Sequence, residues 1–129
     1  MKVLSIKEPF ATLIKDGVKI YETRSWKTNY RGEIYIHASL SPSKSENVLN
    51  ANKFLKSKIN PGYILCRCEL INCIPMTEDF IKYINTKTTE SMYGRYSIGR
   101  YALELKVLEV LNEPISAKGK LGIWNINLD

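Results

Sequence analysis

Four residues within eight positions carry the most chemistry in this chain: Lys19, Glu22, Arg24 and Trp26. They lie in Gly17-Val-Lys-Ile-Tyr-Glu-Thr-Arg-Ser-Trp26, a segment otherwise patterned like a short strand. Strands favour β-branched and aromatic residues and are depleted in Glu and Lys. Two cations, a carboxylate and an indole are unusual for a purely structural strand; the alternatives are a ligand site and an ordinary surface ion pair between Glu22 and Arg24. Lys19 and Arg24 can meet phosphate, Glu22 can accept from the amino group of a base, and Trp26 can stack on a ring. Lys19 and Glu22 are also the candidate catalytic pair: a carboxylate can position a water, and an amine can act as base if its pKa is lowered. Strand alternation puts Ile20, Glu22, Arg24 and Trp26 on one side and Tyr21, Thr23 and Ser25 on the other. Lys19 is off that parity: it reaches the site from the turn after Gly17, or it is not part of the site.

A second segment, Met92-Tyr-Gly-Arg-Tyr-Ser-Ile-Gly-Arg-Tyr101, interleaves Tyr93, Tyr96 and Tyr101 with Arg95 and Arg100. Aromatics of this kind can stack bases while arginines meet phosphates. The same composition also suits a turn entering a strand, with packed tyrosines and solvated arginines. His37 is the only histidine, so no Ser-His-Asp triad has support. Cys66 and Cys68 share a strand face, with Cys73 beyond, and lack the C-x-x-C knuckles of zinc sites. They are expected to be buried core thiols, and no metal is expected. No phosphate-binding G-x-x-x-x-G-K-[S/T] loop, G-x-S-x-G elbow or H-E-x-x-H helix occurs.

The elements that position these residues follow from apolar spacing. Val3, Leu4 and Ile6 predict a first strand. Pro9, then Phe10, Leu13 and Ile14, predict a short helix closed by a left-handed Gly17. A strand over Lys19 to Trp26 and a turn over Asn29 to Gly32 lead to a strand over Glu33 to Ser39. Its core side carries Ile34, Ile36 and Ala38; its other side carries Tyr35, His37 and Ser39. Ser41-Pro42 predicts a helix running to about Lys58. After Asn60-Pro61-Gly62, a long strand covers Tyr63 to Ile74. Thr77 caps a helix with Phe80, Ile81 and Ile84 on its apolar face. Lys87 to Ser91 reads as loop, Ala102 to Leu111 as a strand ended by Pro114, and Ile123 to Ile126 as a terminal strand. The order β-α-β-β-α-β-α-β-β suits a closed or nearly closed barrel with helices outside.

The chain has 129 residues and no internal repeat or linker, which predicts a single domain over 1–129. The net charge of +6 favours polyanionic partners. No apolar run is long enough for a bilayer and no export signal opens the chain, so no membrane partner is expected. Three cysteines, an odd number, cannot close into a disulfide set, which together points to a cytoplasmic address.

Four segments in order resemble one family. Leu4-Ser5-Ile6-Lys7-Glu8-Pro9-Phe10-Ala11 is similar to an L-S-x-x-Q-P-W-A opening. Gly17-x-Lys19-x-x-Glu22-x-Arg24 is similar to a G-x-K-x-x-E-x-R signature. Arg31-Gly32 through His37-Ala38 is similar to R-G-x-x-x-I-H-A, and Gly119-Lys120 through Ile123-Trp124 to G-K-x-x-I-W. Together they resemble the ASCH domain, the activating signal cointegrator homology family. The resemblance implies an α+β, PUA-like small mixed β-barrel with helices packed on the outside. It also places His37 near the cleft. Glu8 stands where the family usually has glutamine and Phe10 where it usually has tryptophan; Glu8 adds negative charge to the cleft if the first strand borders it.

Two functions follow from this reading. The first is a binding module for nucleic acid, chiefly RNA, or a modified nucleoside, with DNA as a further partner. Its site residues are Lys19, Glu22, Arg24, Trp26, His37, Arg95, Arg100 and Tyr101, and it needs no cofactor. The second, implied by the resemblance, is a small hydrolase. Some relatives hydrolyse the acetyl-amide of N4-acetylcytidine, and others are reported to cleave single-stranded RNA, where a divalent metal would enter. The amidohydrolase branch carries a nucleophilic threonine at the position of Glu22. Thr23 and Ser25 are adjacent but lie on the opposite strand face.

Overall fold

The structure is a computed structural model that describes residues 1–127. One mixed sheet of six strands organises it, in the order β2-β5-β4-β3-β1-β6. The strands are β1 (Lys2–Lys7), β2 (Tyr21–Arg24), β3 (Gly32–Ser39), β4 (Tyr63–Pro75), β5 (Tyr101–Ser116) and β6 (Ile123–Asn125). β1 and β3 run parallel, which needs a crossover between them. Helix α1 (Phe10–Lys15) begins that crossover and packs its buried Leu13 and Ile14 on the sheet. Gly17 ends the helix at φ +75°, the left-handed conformation that glycine adopts without a Cβ clash.

The long strands β4 and β5 form the antiparallel spine. Alternation on β4 buries Cys66, Cys68 and Leu70 while Arg67 and Glu69 face outward. The three thiols are free, buried core groups, with Cys66 and Cys68 Sγ atoms 3.8 Å apart. Ile34, Ile36, Leu4, Ile6 and Leu103 complete the core against α1. The sheet curls without closing. β2 is one edge and β6 the other, yet the Arg24 guanidinium at the end of β2 donates to the Ser5 carbonyl oxygen on β1 at 2.8 Å. A side chain, not a strand ladder, spans the seam of this half-barrel.

Several elements differ from the spacing. The helix expected from Pro42 to Lys58 shrinks to α2 (Val48–Asn52), which buries only Ala51 and has no side-chain cap. Val48, Phe54 and Leu55 pack partly buried against the core, the last two from beyond the helix, while Leu49 is exposed. β2 stops at Arg24, before Trp26. Helix α3 (Glu78–Lys87) has the expected cap, with Phe80 N–H donating to Thr77 Oγ1 at 3.1 Å, but buries only Ile84 of its apolar face. A 3-10 turn, Glu90–Met92, overlaps the end of the expected loop and carries a buried Glu90. Pro114 lies inside β5, not at its end. It falls between the paired Val110 and Ile115, where the β4–β5 register shifts and no ladder donor is required of it. Among the described residues, no helix is long and apolar enough to cross a membrane.

Candidate functional site: a basic pocket at the barrel seam

The seam opens into a pocket of about 400 Å³. Ser5, Ile6 and Lys7 of β1 form one side, with Phe10 from the start of α1. Glu22, Thr23 and Arg24 of β2 form the opposite side. The Tyr93–Arg95 stretch and Arg100 close a third side, and Ser43, Ser45 and Asn47 line the approach. Lys120, Leu121 and Gly122 stand at the C-terminal side. Five cations, Lys7, Arg24, Arg95, Arg100 and Lys120, thus surround one carboxylate, Glu22.

Glu22 is held from two sides. Arg24 donates to its Oε2 through Nε at 3.1 Å and a terminal nitrogen at 2.8 Å. Strand parity makes this possible, since Glu22 and Arg24 project from one face two residues apart. Lys19 arrives from behind. Its side chain is only 1% exposed, and Nζ lies 3.5 Å from Glu22 Oε1. The same ammonium donates to the Tyr21 carbonyl oxygen and, at 3.2 Å, to that of Tyr93. Burial alone would raise the Glu22 pKa; Arg24 and then Lys19 outweigh it and hold the carboxyl below its ordinary value. The pocket floor is therefore an ionised acceptor. Burial and then the neighbouring Arg95 charge lower the Arg100 pKa, with Glu22 opposing, as expected where cations crowd one wall.

The expected site residues divide. Glu22, Arg24, Arg95 and Arg100 line the pocket together. Lys19 lies beneath it, reaching Glu22 from the turn after Gly17. Trp26 sits outside the lining, with the Arg24 guanidinium 5.7 Å from its ring centroid. Tyr101 is half-buried in the ladder opposite Arg24 and Pro75, also outside the lining. His37 is buried one layer behind, bonded to Ser5 and to the Ala117 carbonyl oxygen. Of the three tyrosines in the basic segment, Tyr93 is buried and Tyr96 has a buried hydroxyl, so neither is an exposed stacking surface.

Two further expectations need correction. Thr23, assigned by parity to the far side, borders the pocket as well. The Gly94–Arg95 backbone folds across the edge of β2, and Arg95 N–H approaches Thr23 Oγ1 at 3.4 Å, so both sides of the strand's end become wall. Glu8 adds no charge to the pocket lining. Its buried carboxylate accepts from Thr12 N–H at 2.8 Å, Thr12 Oγ1 at 2.6 Å and Asn60 N–H at 2.9 Å, tying α1 to the turn before β4. Residue-level reasoning missed Lys7, Ser43, Ser45, Asn47, Lys120 and Leu121. Lys7 and Lys120 stand in recognisable motifs; the serines carry no local signal, because only loop placement brings them here.

Among the described residues, no group of three or more His, Cys, Asp or Glu side chains is arranged to hold a metal ion. A comparison with curated proteins gives no significant match. The family comparison is decisive: the ASCH domain model matches residues 4–115 of the 129, from β1 into the end of β5 and across most of the pocket. The chain belongs to the ASCH domain family.

Proposed function

We propose that this protein is a binding module for single-stranded RNA, or for a modified nucleoside within it, and that the basic pocket is its ligand site. The ASCH family is generally linked to nucleic-acid and RNA binding. One observation carries the proposal: an ionised acceptor, Glu22, lies among five cations in a pocket of about 400 Å³. A nucleotide offers the complementary pair, N–H donors on the base edge and anionic oxygens on the backbone. Among the described residues, Glu22 Oε2 is occupied by Arg24, while Oε1 faces the Lys19 ammonium at 3.5 Å. That leaves Oε1 as the acceptor for a base amino group. Arg95, Arg100, Lys7 and Lys120 are the phosphate contacts, and Phe10 and Leu121 supply apolar surface.

The hydrolase reading has less support. Lys19 spends its protons on two carbonyl oxygens and Glu22. A carboxyl held below its ordinary pKa is likewise a weak base. The curled mixed sheet with flanking helices supports placing the fold among PUA-like barrels. The pairing of β6 with β1 supports reading the chain as one domain.

The test is native electrophoresis of labelled single-stranded RNA and DNA with the protein, with and without magnesium. Free N4-acetylcytidine is followed by chromatography in parallel. Retarded, uncut RNA is the expected result, with DNA as the weaker ligand. No retardation at low salt overturns the proposal. Magnesium-dependent cutting would replace it with a ribonuclease, and release of acetate with an amidohydrolase.

A further inference from the structure

A hydrogen-bond chain behind the pocket takes no part in the contacts just described. His37 of β3 is buried, and its Nε2 lies 2.8 Å from the Ala117 carbonyl oxygen. A carbonyl oxygen only accepts, so Nε2 carries a proton. In the neutral ring Nδ1 is then an acceptor. It lies 3.1 Å from Ser5 Oγ, which itself accepts the Trp124 indole N–H at 2.9 Å. The Ser5 hydroxyl proton therefore goes to Nδ1. One tautomer satisfies the whole chain Trp124–Ser5–His37–Ala117.

The residues after Ala117 rest on the same ring. A Cβ on Gly119 would lie 2.7 Å from His37 Cε1, 2.9 Å from Nδ1 and 3.0 Å from Ser5 Oγ. Only a glycine lets the backbone approach this closely. Trp124 stands edge-on to the imidazole, ring centroids 5.9 Å apart at 81°. The 117–122 segment is thus an arm seated on His37 by a hydrogen bond at its start and bare backbone in its middle. Its far end reaches the pocket. Lys120, Leu121 and Gly122 line it, and Leu121 is 99% exposed. A leucine wholly in water at the rim of a charged pocket contributes nothing to the core and is positioned to cover an apolar ligand face.

We infer that the 117–122 arm is a ligand-contacting element of the pocket, with Leu121 covering the face of a base and Lys120 meeting a phosphate, and that His37 is its positioning residue. This rests on the RNA-binding reading above. It turns His37 from a candidate contact into the group that sets the register of two contacts.

The experiment measures binding of a labelled single-stranded RNA across a salt series, by anisotropy. Leu121→Ala weakens affinity about fivefold, as expected for partial burial of one leucine, and leaves the salt slope unchanged. Lys120→Gln lowers the slope of log affinity against log salt by about 0.7, one counterion released from a single strand. His37→Ala produces both effects in the wild-type background and adds little to Leu121→Ala/Lys120→Gln, whereas it adds in full to Arg95→Gln. Such non-additivity follows from a shared element and not from general loosening. Hydrogen exchange supplies the second readout. His37→Ala speeds exchange at residues 117–122 while the β4 amides keep their protection.

Wild-type binding that Leu121→Ala and Lys120→Gln leave unchanged overturns this inference and spares the RNA reading. Full additivity of His37→Ala with the arm variants, or uniform loss of protection across the sheet, overturns the positioning role. A wild-type protein that binds no RNA overturns the parent reading and the contacts assigned to Lys120 and Leu121 together; the exchange measurement then still decides the role of His37.

Discussion

The Lys19 ammonium lies 3.5 Å from Glu22 Oε1, sealed from solvent under the floor of the basic pocket. An ammonium in that position is retained only because its partners are all present: Glu22 and the carbonyl oxygens of Tyr21 and Tyr93. It ties β2 to the segment that carries Arg95. Lys19→Met should therefore cost about 3 kcal/mol or more, because a buried carboxylate and two carbonyls lose a partner at once. Urea unfolding checks this, and a loss below about 1 kcal/mol would show that the pair is not closed in solution.

Glu22 and Glu90 affect the pH dependence of stability with opposite signs. For Glu22, burial is outweighed by Arg24 and Lys19, and its folded pKa lies below the ordinary 4.5. The folded chain then binds fewer protons than the unfolded one. This contribution is complete above that ordinary value and is lost as pH falls through the folded pKa. For Glu90, burial raises the pKa above 4.5, with Lys19 and the Ile20 amide only partly offsetting it. In that window the folded chain binds the extra proton, so stability declines as pH rises. Glu90→Gln should remove the decline above pH 4.5 and Glu22→Gln the loss below it. Denaturant titrations over a pH series read both; an unchanged slope above pH 4.5 in Glu90→Gln would falsify the first.

Arg95 and Arg100 line one wall, and burial with mutual repulsion lowers the Arg100 pKa. If both meet phosphate, each glutamine replacement lowers the salt slope by about 0.7 and weakens binding across unrelated RNA sequences alike. Arg67 is the matched control, since it is engaged with Glu33 and Glu109 on the outer face of β4. A slope that Arg67→Gln changes as much as Arg95→Gln would mean that binding is spread over the basic surface.

Glu8→Gln tests the buried carboxylate that accepts three donors, two from Thr12 and one from Asn60 N–H. An amide has one oxygen, and its NH2 would face a donor. A loss of about 1–3 kcal/mol is expected on urea unfolding, with RNA affinity per folded molecule unchanged. Lower affinity at equal folded fraction would give Glu8 a part in the pocket.

Much of the architecture was legible in the residues because local rules decided it. Apolar alternation in β3 and β4, the Thr77 cap and the left-handed Gly17 each follow from a few adjacent side chains. The full order of strands and helices followed from them. So did the Glu22–Arg24 pair, since strand period two places such residues on one face. The 42–58 helix comes out shorter because its start signal is local, whereas its extent depends on how the chain packs, and Phe54 and Leu55 reach the core from outside the helix.

Tertiary structure decided the rest. Parity left Lys19 either arriving from the turn or outside the site; the fold buries it under Glu22. The curl of the sheet brings β2 to β1, so that Arg24 meets the Ser5 carbonyl across a seam nineteen residues apart in sequence. The same curl gathers Ser43, Arg100 and Lys120 onto one pocket and sets His37 behind it, in contact with Gly119. Those placements depend on strand order and sheet curvature. Both arise from the summed packing of the core, a non-local quantity with no trace in the spacing of adjacent residues.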